Sequence, residues 1–363
     1  MDIFTTYLAL IFVVSLAFGA FAQAGQFCPV GGLRETLNKQ GAHRLWAYLA
    51  AIAIALIGVN ILEFLELVDL NGTKPPYRTQ EFAYGRYILG GFIFGFGMVL
   101  AAGCGMRNLI RVGQGSFKAL LIVVIMALTA YAMTKTSLYA EVFMPIVAPF
   151  SLNFSAAGSQ DLGSLLVGKS ESLQIIRLVI ALVIGLSILY FAFRNKTFRQ
   201  PRYLLSAVVI GLAVTAGFYI TGAAMGQSLI EEAAFMSSPP MGLGTQSYSF
   251  AAPMADTVYA LINSDGLAVV TFGVVAVLGL PIGALLASLL RREFKLESGF
   301  NSRKEVLLSF VGAILVGVGS VLAMGCTIGH GLTGISTLAL GSFLALFSIA
   351  LGAFVGIKLE ARL

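Results

Sequence analysis

Residues 90–104 read GGFIFGFGMVLAAGC, and residues 312–326 read GAILVGVGSVLAMGC. At a constant offset of 222 the two stretches agree at Gly90, Gly95, Gly97, Val99, Leu100, Ala101, Gly103 and Cys104, eight of fifteen positions. Each is an apolar run of helical length, studded with glycine, that ends on a Gly-Cys pair and enters a polar turn broken by glycine. Because the cysteine repeats together with the helix before it, both Gly-Cys pairs are expected to face one pathway.

The setting of these runs is a chain of 363 residues, 58% hydrophobic and 11% charged. Soluble chains carry roughly 25% charged residues, so a membrane domain is the reading that fits. The net charge of +6 raises the question of nucleic acid. The basic residues lie between apolar runs, however, where they orient a membrane protein, and no nucleic-acid partner is expected. Three widely separated cysteines, Cys28, Cys104 and Cys326, form no C-x-x-C pair and no closed disulfide set. The first apolar run ends in AFAQAG, which resembles a signal-peptide cleavage site. Asp2 stands where a basic segment belongs, and the run is long enough to span, so it reads as a membrane helix.

Apolar runs of spanning length fall at about 3–24, 44–64, 87–103, 117–134, 173–193, 203–224, 267–290, 306–325 and 339–357. Nine spans put the termini on opposite sides. With the N-terminus outside, seventeen of the 23 Lys and Arg fall on the inner side and five on the outer, with Arg177 near the outer end of span five. The positive-inside rule therefore selects N-terminus out, C-terminus cytoplasmic. The Gly-Cys motifs end spans three and eight, five spans apart, so the copies enter from opposite sides. The expected architecture is an all-α polytopic membrane domain over 1–363, built as an inverted 4+1+4 repeat. Its first half is 1–134, its connector helix 173–193 and its second half 203–357. Phe27-Cys28-Pro29 has an echo in Phe250-Ala251-Ala252-Pro253, where alanine replaces the cysteine. Short re-entrant half-helices are expected to start near Cys28, Cys104, Pro253 and Cys326, since irregular backbone at membrane depth must be buried or line a wet cavity. The stretch 135–172 reads as an ordinary surface loop.

The chemistry follows from those breaks. A half-helix N-terminus presents free N–H groups to an anion. Gly103, Gly105 and Gly325 place no Cβ in the way, and a thiol at the turn suits an anion with a soft sulfur atom better than phosphate. A buried cysteine is ordinarily a small packing residue; two at equivalent repeat positions point instead to substrate binding. His330 reads equally as a proton acceptor, a substrate donor or a satisfied polar residue. No second His or carboxylate accompanies it to hold a metal. Arg107, with Arg34 and Arg111, follows the half-sites on the inner side, where it draws an anion or merely marks topology. No Asp or Glu falls in the middle of a span, so a carboxylate proton relay is not expected. GQGSFK at 113–118 lacks the Walker spacing, and no cofactor is expected.

The stretches FCPVGGLR at Cys28, GCGMRNLIRVGQG at Cys104 and GCTIGHGLTG at Cys326 resemble the YeeE/YedE family of bacterial inner-membrane proteins, whose characterised members take up thiosulfate. The likeness covers nearly the whole chain. It implies an hourglass-shaped helical fold with re-entrant helices meeting at a waist, and three cysteines that pass thiosulfate inward through S–H···S contacts. Those roles fall on Cys28, Cys104 and Cys326. Some relatives are associated with selenium or other sulfur compounds. Certain members carry a small sulfur-carrier protein, which here is expected as a separate cytoplasmic partner. The competing reading is a membrane sulfurtransferase or thiol oxidoreductase that takes sulfur as a cysteine persulfide.

Overall fold

The structure is a computed structural model that describes residues 3–263, 266–297, 299–300 and 302–360. Its α-helices are α1 Ile3–Ala24, α2 Pro29–Leu37, α3 His43–Phe64, α4 Tyr84–Leu100, α5 Gly105–Gly113, α6 Phe117–Lys135, α7 Met144–Val147 and α8 Leu162–Val167. They continue as α9 Leu173–Arg194, α10 Pro201–Gly222, α11 Ala224–Ala233, α12 Ala252–Ile262, α13 Phe272–Leu290, α14 Arg303–Leu322 and α15 Leu340–Glu360. A π-helix, Gly329–Gly334, stands between α14 and α15. The strands found among the described residues are the antiparallel pair Glu81–Phe82 and Leu152–Asn153. Nine helical segments among the described residues are long and apolar enough to cross a membrane. The all-α polytopic class expected from composition is the observed one.

Helix α4 is the hub. In lipid, apolar surface gains little by leaving its surroundings, so helices associate through close packing at small residues. The α4/α14 crossing does so reciprocally. A Cβ at Gly90 would lie 2.4 Å from the backbone nitrogen of Ala323, and one at Gly312 would lie 2.5 Å from that of Ala101. One at Gly97 would meet Val316 N at 2.9 Å, and one at Gly319 would meet Phe94 N at 2.4 Å. Contacts that rise along one helix fall along the other, so the pair runs antiparallel. The opposite side of α4 packs on α15, where a Cβ at Gly95 would strike the Ile349 carbonyl at 2.0 Å.

The packed pairs continue this reciprocity. Exchange α1 with α10, α2 with α12, α3 with α13, α4 with α14, α5 with the π-helix and α6 with α15. Then α1 on α13 becomes α10 on α3, α4 on α15 becomes α14 on α6, and α2 on α15 becomes α12 on α6; all of these contacts exist. Helix α9 is the one long helix left out of this exchange among the described residues. It touches α3 through one stripe, its buried residues being Arg177, Ala181, Gly185 and Ala192.

Three sequence expectations need correction. Span three stops at Leu100, not at 103, because Ala102 (φ 54°) and Gly103 (φ 150°) turn the backbone out of the helix while the sequence stays apolar. Span seven starts at Phe272, not at 267: Gly266–Val269 forms a 3-10 turn, and the Thr271 hydroxyl accepts from Val274 N at 3.2 Å as the helix cap. The stretch 135–172 is also not simply a surface loop. Ser159, Gln160, Asp161 and Ser164 are buried, and Gln160 Oε1 accepts from Gly341 N near the start of α15.

Candidate functional site

Each cysteine stands where a long helix breaks and a short one begins. After α1, Cys28 takes an extended conformation (φ −158°, ψ 108°) and caps α2, with Pro29 as its first residue and the thiol sulfur accepting from Gly31 N at 3.3 Å. After α4, the left-handed Ala102 and Gly103 lead to Cys104, the N-cap of α5. Asn108 clamps that turn from inside α5, donating Nδ2 to the carbonyls of Gly103 at 3.0 Å and Cys104 at 3.2 Å. After α14, Met324 takes φ 63°, the position that Ala102 holds in the first copy. Cys326 follows, and its sulfur accepts from Gly329 N at 3.3 Å and Phe250 N at 3.4 Å. A fourth break precedes α12 with its Pro253, and carries alanine instead of cysteine. All four expected helix starts are present.

The breaks converge. Phe250 bridges two of them, since its N–H reaches the Cys326 sulfur while its carbonyl lies 3.4 Å from where a Cβ on Gly105 would be. Tyr48 of α3 sits within electrostatic range of both Cys104 and Cys326, and its hydroxyl donates to the Thr327 carbonyl at 2.6 Å. Cys104 in turn is within electrostatic range of Cys28 and Cys326. All three cysteines are free and buried, at 5%, 1% and 3% exposure in chain order.

Two cavities flank this layer at opposite ends of the α4/α14 pair. One, of about 650 Å³, is lined by Arg86, Ser320, Val321 and Met324 with Ser249, Ala251 to Pro253 and Lys74. The other, of about 520 Å³, is lined by Cys28, Gly31, Met98 to Leu100, Ala102 and Arg107, with Arg34, Arg44, Lys118 and Lys304 at its sides. The repeat offset carries Met98, Val99 and Ala102 of the second cavity onto Ser320, Val321 and Met324 of the first.

The second cavity is cationic, but most of its charge is answered. Arg34 pairs with Glu360 at 2.6 Å, Arg44 with Glu35 at 3.0 Å, and Lys118 with Glu305. Arg107 differs: its Nη1 is buried with no hydrogen-bond partner, and the guanidinium lies within electrostatic range of Cys28 and Cys104. Two further groups here lack a bond of ordinary geometry, Asn108 Oδ1 and the hydroxyl of Thr327, the latter buried against the Cys104 thiol.

The remaining sequence candidates are placed otherwise. His330 is buried, its Nε2 bonded to the Ala323 carbonyl at 2.7 Å and its Nδ1 to the Ser342 hydroxyl at 3.1 Å. Because a carbonyl only accepts, Nε2 carries the proton and both ring nitrogens are engaged. The space before each glycine is filled by protein: a Cβ at Gly103 would meet Arg107, one at Gly105 Met254 and one at Gly325 His330, all within 2.9 Å. Sequence reasoning missed Tyr48, Asn108, Phe250 and Thr327. Tyr48 left a signal, since a phenol inside an apolar run must find a partner for its hydroxyl. Among the described residues no three His, Cys, Asp or Glu side chains stand together as a metal site.

A profile of the family described as "Sulphur transport" matches residues 24–355. A Spirochaeta thermophila protein named "Thiosulfate transporter TsuA" is 29% identical over 345 residues, covering 94% of this chain and 95% of its own. An Escherichia coli protein of the same name is 27% identical over 347 residues, covering 92% of this chain and 89% of its own.

Proposed function

The chain belongs to the sulphur-transport family, and from that premise we propose that it takes up thiosulfate, or a closely related sulfur oxyanion, through a relay of Cys28, Cys104 and Cys326. The observation that carries this reading is the buried layer of three thiols between two cavities. The sulfurs of Cys28 and Cys326 already accept backbone N–H groups, which leaves each S–H to donate to the terminal sulfur of a passing anion. Arg107 adds one unanswered cationic donor beside Cys28 and Cys104. Contacts of this kind are weak and serial, so the anion is held at each thiol and released from it.

The reciprocal packing of α4 with α14, and of the pairs around them, supports an inverted repeat of 1–134 and 203–357 about the connector α9. The resemblance to bacterial inner-membrane proteins supports that membrane as the protein's location, and the charge distribution supports an N-terminus on its outer side. The cavity at Cys28 then faces the cytoplasm and the cavity at Arg86 faces out. A separate small sulfur-carrier protein would receive the anion at the cytoplasmic cavity.

The test is uptake of radiosulfur-labelled thiosulfate by cells that lack other routes, with cysteine-to-alanine changes at each of the three positions. Each single change is expected to abolish uptake while leaving the protein in the membrane. Uptake surviving in all three variants sinks the relay. A stable added sulfur on any of these cysteines, seen by mass spectrometry after exposure to substrate, would favour a persulfide-forming enzyme instead.

A further inference from the structure

The two motif copies part company at the residue after the cysteine. The offset that pairs Cys104 with Cys326 pairs Gly105 with Thr327. At Gly105 the space is closed, with Met254 Cε 2.8 Å from a would-be Cβ. At Thr327 a hydroxyl has been added to the buried layer, in a residue 1% exposed.

That hydroxyl is anomalous. A buried hydroxyl ordinarily finds an acceptor, and even the part-buried hydroxyls of Thr129 and Thr134 in α6 reach the carbonyls of Ile125 and Ala130. Buried Thr333 and Thr337 also find carbonyls, at 2.6 Å and 2.8 Å. Among the described residues, Thr327 carries the one Ser or Thr hydroxyl that is fully buried without a hydrogen bond of ordinary geometry, the Cys104 thiol being the group it lies against. Its backbone is fixed, since the Thr327 carbonyl takes the Tyr48 hydroxyl at 2.6 Å and Gly331 N at 3.1 Å. The unanswered donor is therefore held in place beside the Cys104 thiol, and an unmet buried hydroxyl is retained at a cost to stability.

Resting on the proposed function, we propose that Thr327 is a specificity-determining residue whose hydroxyl donates to an oxygen of the sulfur oxyanion while Cys104 meets its terminal sulfur. An anion with a sulfur end and an oxygen end offers complementary acceptors to a thiol and a hydroxyl set side by side. The first copy of the motif, with Gly105, cannot make the second contact. The pair would thus read both ends of the anion at one point on the path.

The experiment measures concentration-dependent uptake of labelled thiosulfate in proteoliposomes for the wild type, Thr327→Val and Thr327→Ser. Valine keeps the branched shape without the hydroxyl, and serine restores the hydroxyl. The valine variant is expected to raise KM by about tenfold or more, the worth of a hydrogen bond to a charged acceptor, with the rate at saturation retained. The serine variant is expected to stay within about threefold of wild type on the same scale. Thr327→Ala asks the same question should valine prevent accumulation. A hydroxyl-free variant with wild-type KM overturns the proposal, and so does a serine variant impaired as much as valine, which would make the role one of packing. Wild-type protein that moves no thiosulfate is a separate result and rejects the proposed function itself.

Discussion

Glu63→Gln should unfasten the buried ion cluster at the C-terminal end of α3. Glu63, near the C-terminus of α3, takes Arg78 Nη1 and Arg177 Nη1 on Oε1, the latter at 2.9 Å, and Arg78 Nη2 on Oε2 at 2.8 Å. Arg177 in turn grips Asp161 through Nε at 2.9 Å and Nη2 at 2.7 Å. The four side chains are 6% exposed or less and carry two charges of each sign, so the cluster is neutral where it is buried. The amide substitution removes one negative charge and turns a donor toward guanidinium donors. Removing one partner of a buried ion pair costs about 3–5 kcal/mol. The consequence reaches the thiols, because Arg78 Nε also donates to the Thr337 carbonyl at 2.7 Å and Tyr77 to the Gly329 carbonyl at 2.8 Å. These two residues hold both ends of the segment that follows Cys326. Denaturant unfolding of the purified protein in detergent, paired with thiosulfate uptake, reads both effects. A cost below about 0.5 kcal/mol, the range of an ordinary surface change, with uptake intact would refute the assignment of this cluster as the anchor of the Cys326 segment.

Two further outcomes follow from the same geometry. Gly90→Ala and Gly312→Ala place a methyl against a backbone nitrogen at 2.4 Å and 2.5 Å, so each should cost about 1–3 kcal/mol by overpacking. Thermal unfolding that shows one change harmless and the other severe would contradict the reciprocal crossing. For pH, burial works against the Asp161 carboxylate, but the Arg177 hydrogen bonds, the charges of Arg78 and Arg177 and the Ser164 hydroxyl outweigh it and hold the group well below the usual carboxylate range. A depressed value contributes stability that is fully present above the unfolded value of about 3.9 and is lost only as pH falls through the folded one. The stability gap between wild type and Asp161→Asn should therefore stay flat between about pH 5 and 8, and a gap that closes within that window is the refuting result.

The long helices were legible because hydropathy reports burial in lipid or protein, and α1 and α9 end within one residue of the apolar runs that announced them. The same property explains where the reading slipped. Residues 101–103 and 267–271 are as apolar as the helices beside them, so composition could not show that the backbone turns out of helical geometry. The breaks themselves were found, since Gly, Pro and Cys punctuate them. The partners that fix the breaks were not. Tyr48 and Phe250 act through contacts across the chain, Asn108 through bonds back to the turn before its own helix, and Glu63, Arg78, Asp161 and Arg177 sit in or beside stretches that read as outer loops. Nothing in the linear order says that these four charges meet.

The departures from repetition are more informative about function than the repetition. On the proposed inverted repeat, Cys28 corresponds to Ala252, Arg107 to Gly329 and Gly105 to Thr327. The first half thus contributes an extra thiol and an unanswered guanidinium beside the Cys28 cavity, while the second contributes a hydroxyl at the centre of the layer. Such asymmetry cannot by itself drive net movement, because a site that binds an anion equally from both sides favours neither direction. On the proposed relay, what it sets is where the anion dwells. A bidentate arginine clamp there would hold a sulfur oxyanion too firmly to pass. On the same proposal, one free guanidinium nitrogen beside thiols would attract the charge while leaving release possible, which is the balance that a conducting pathway requires.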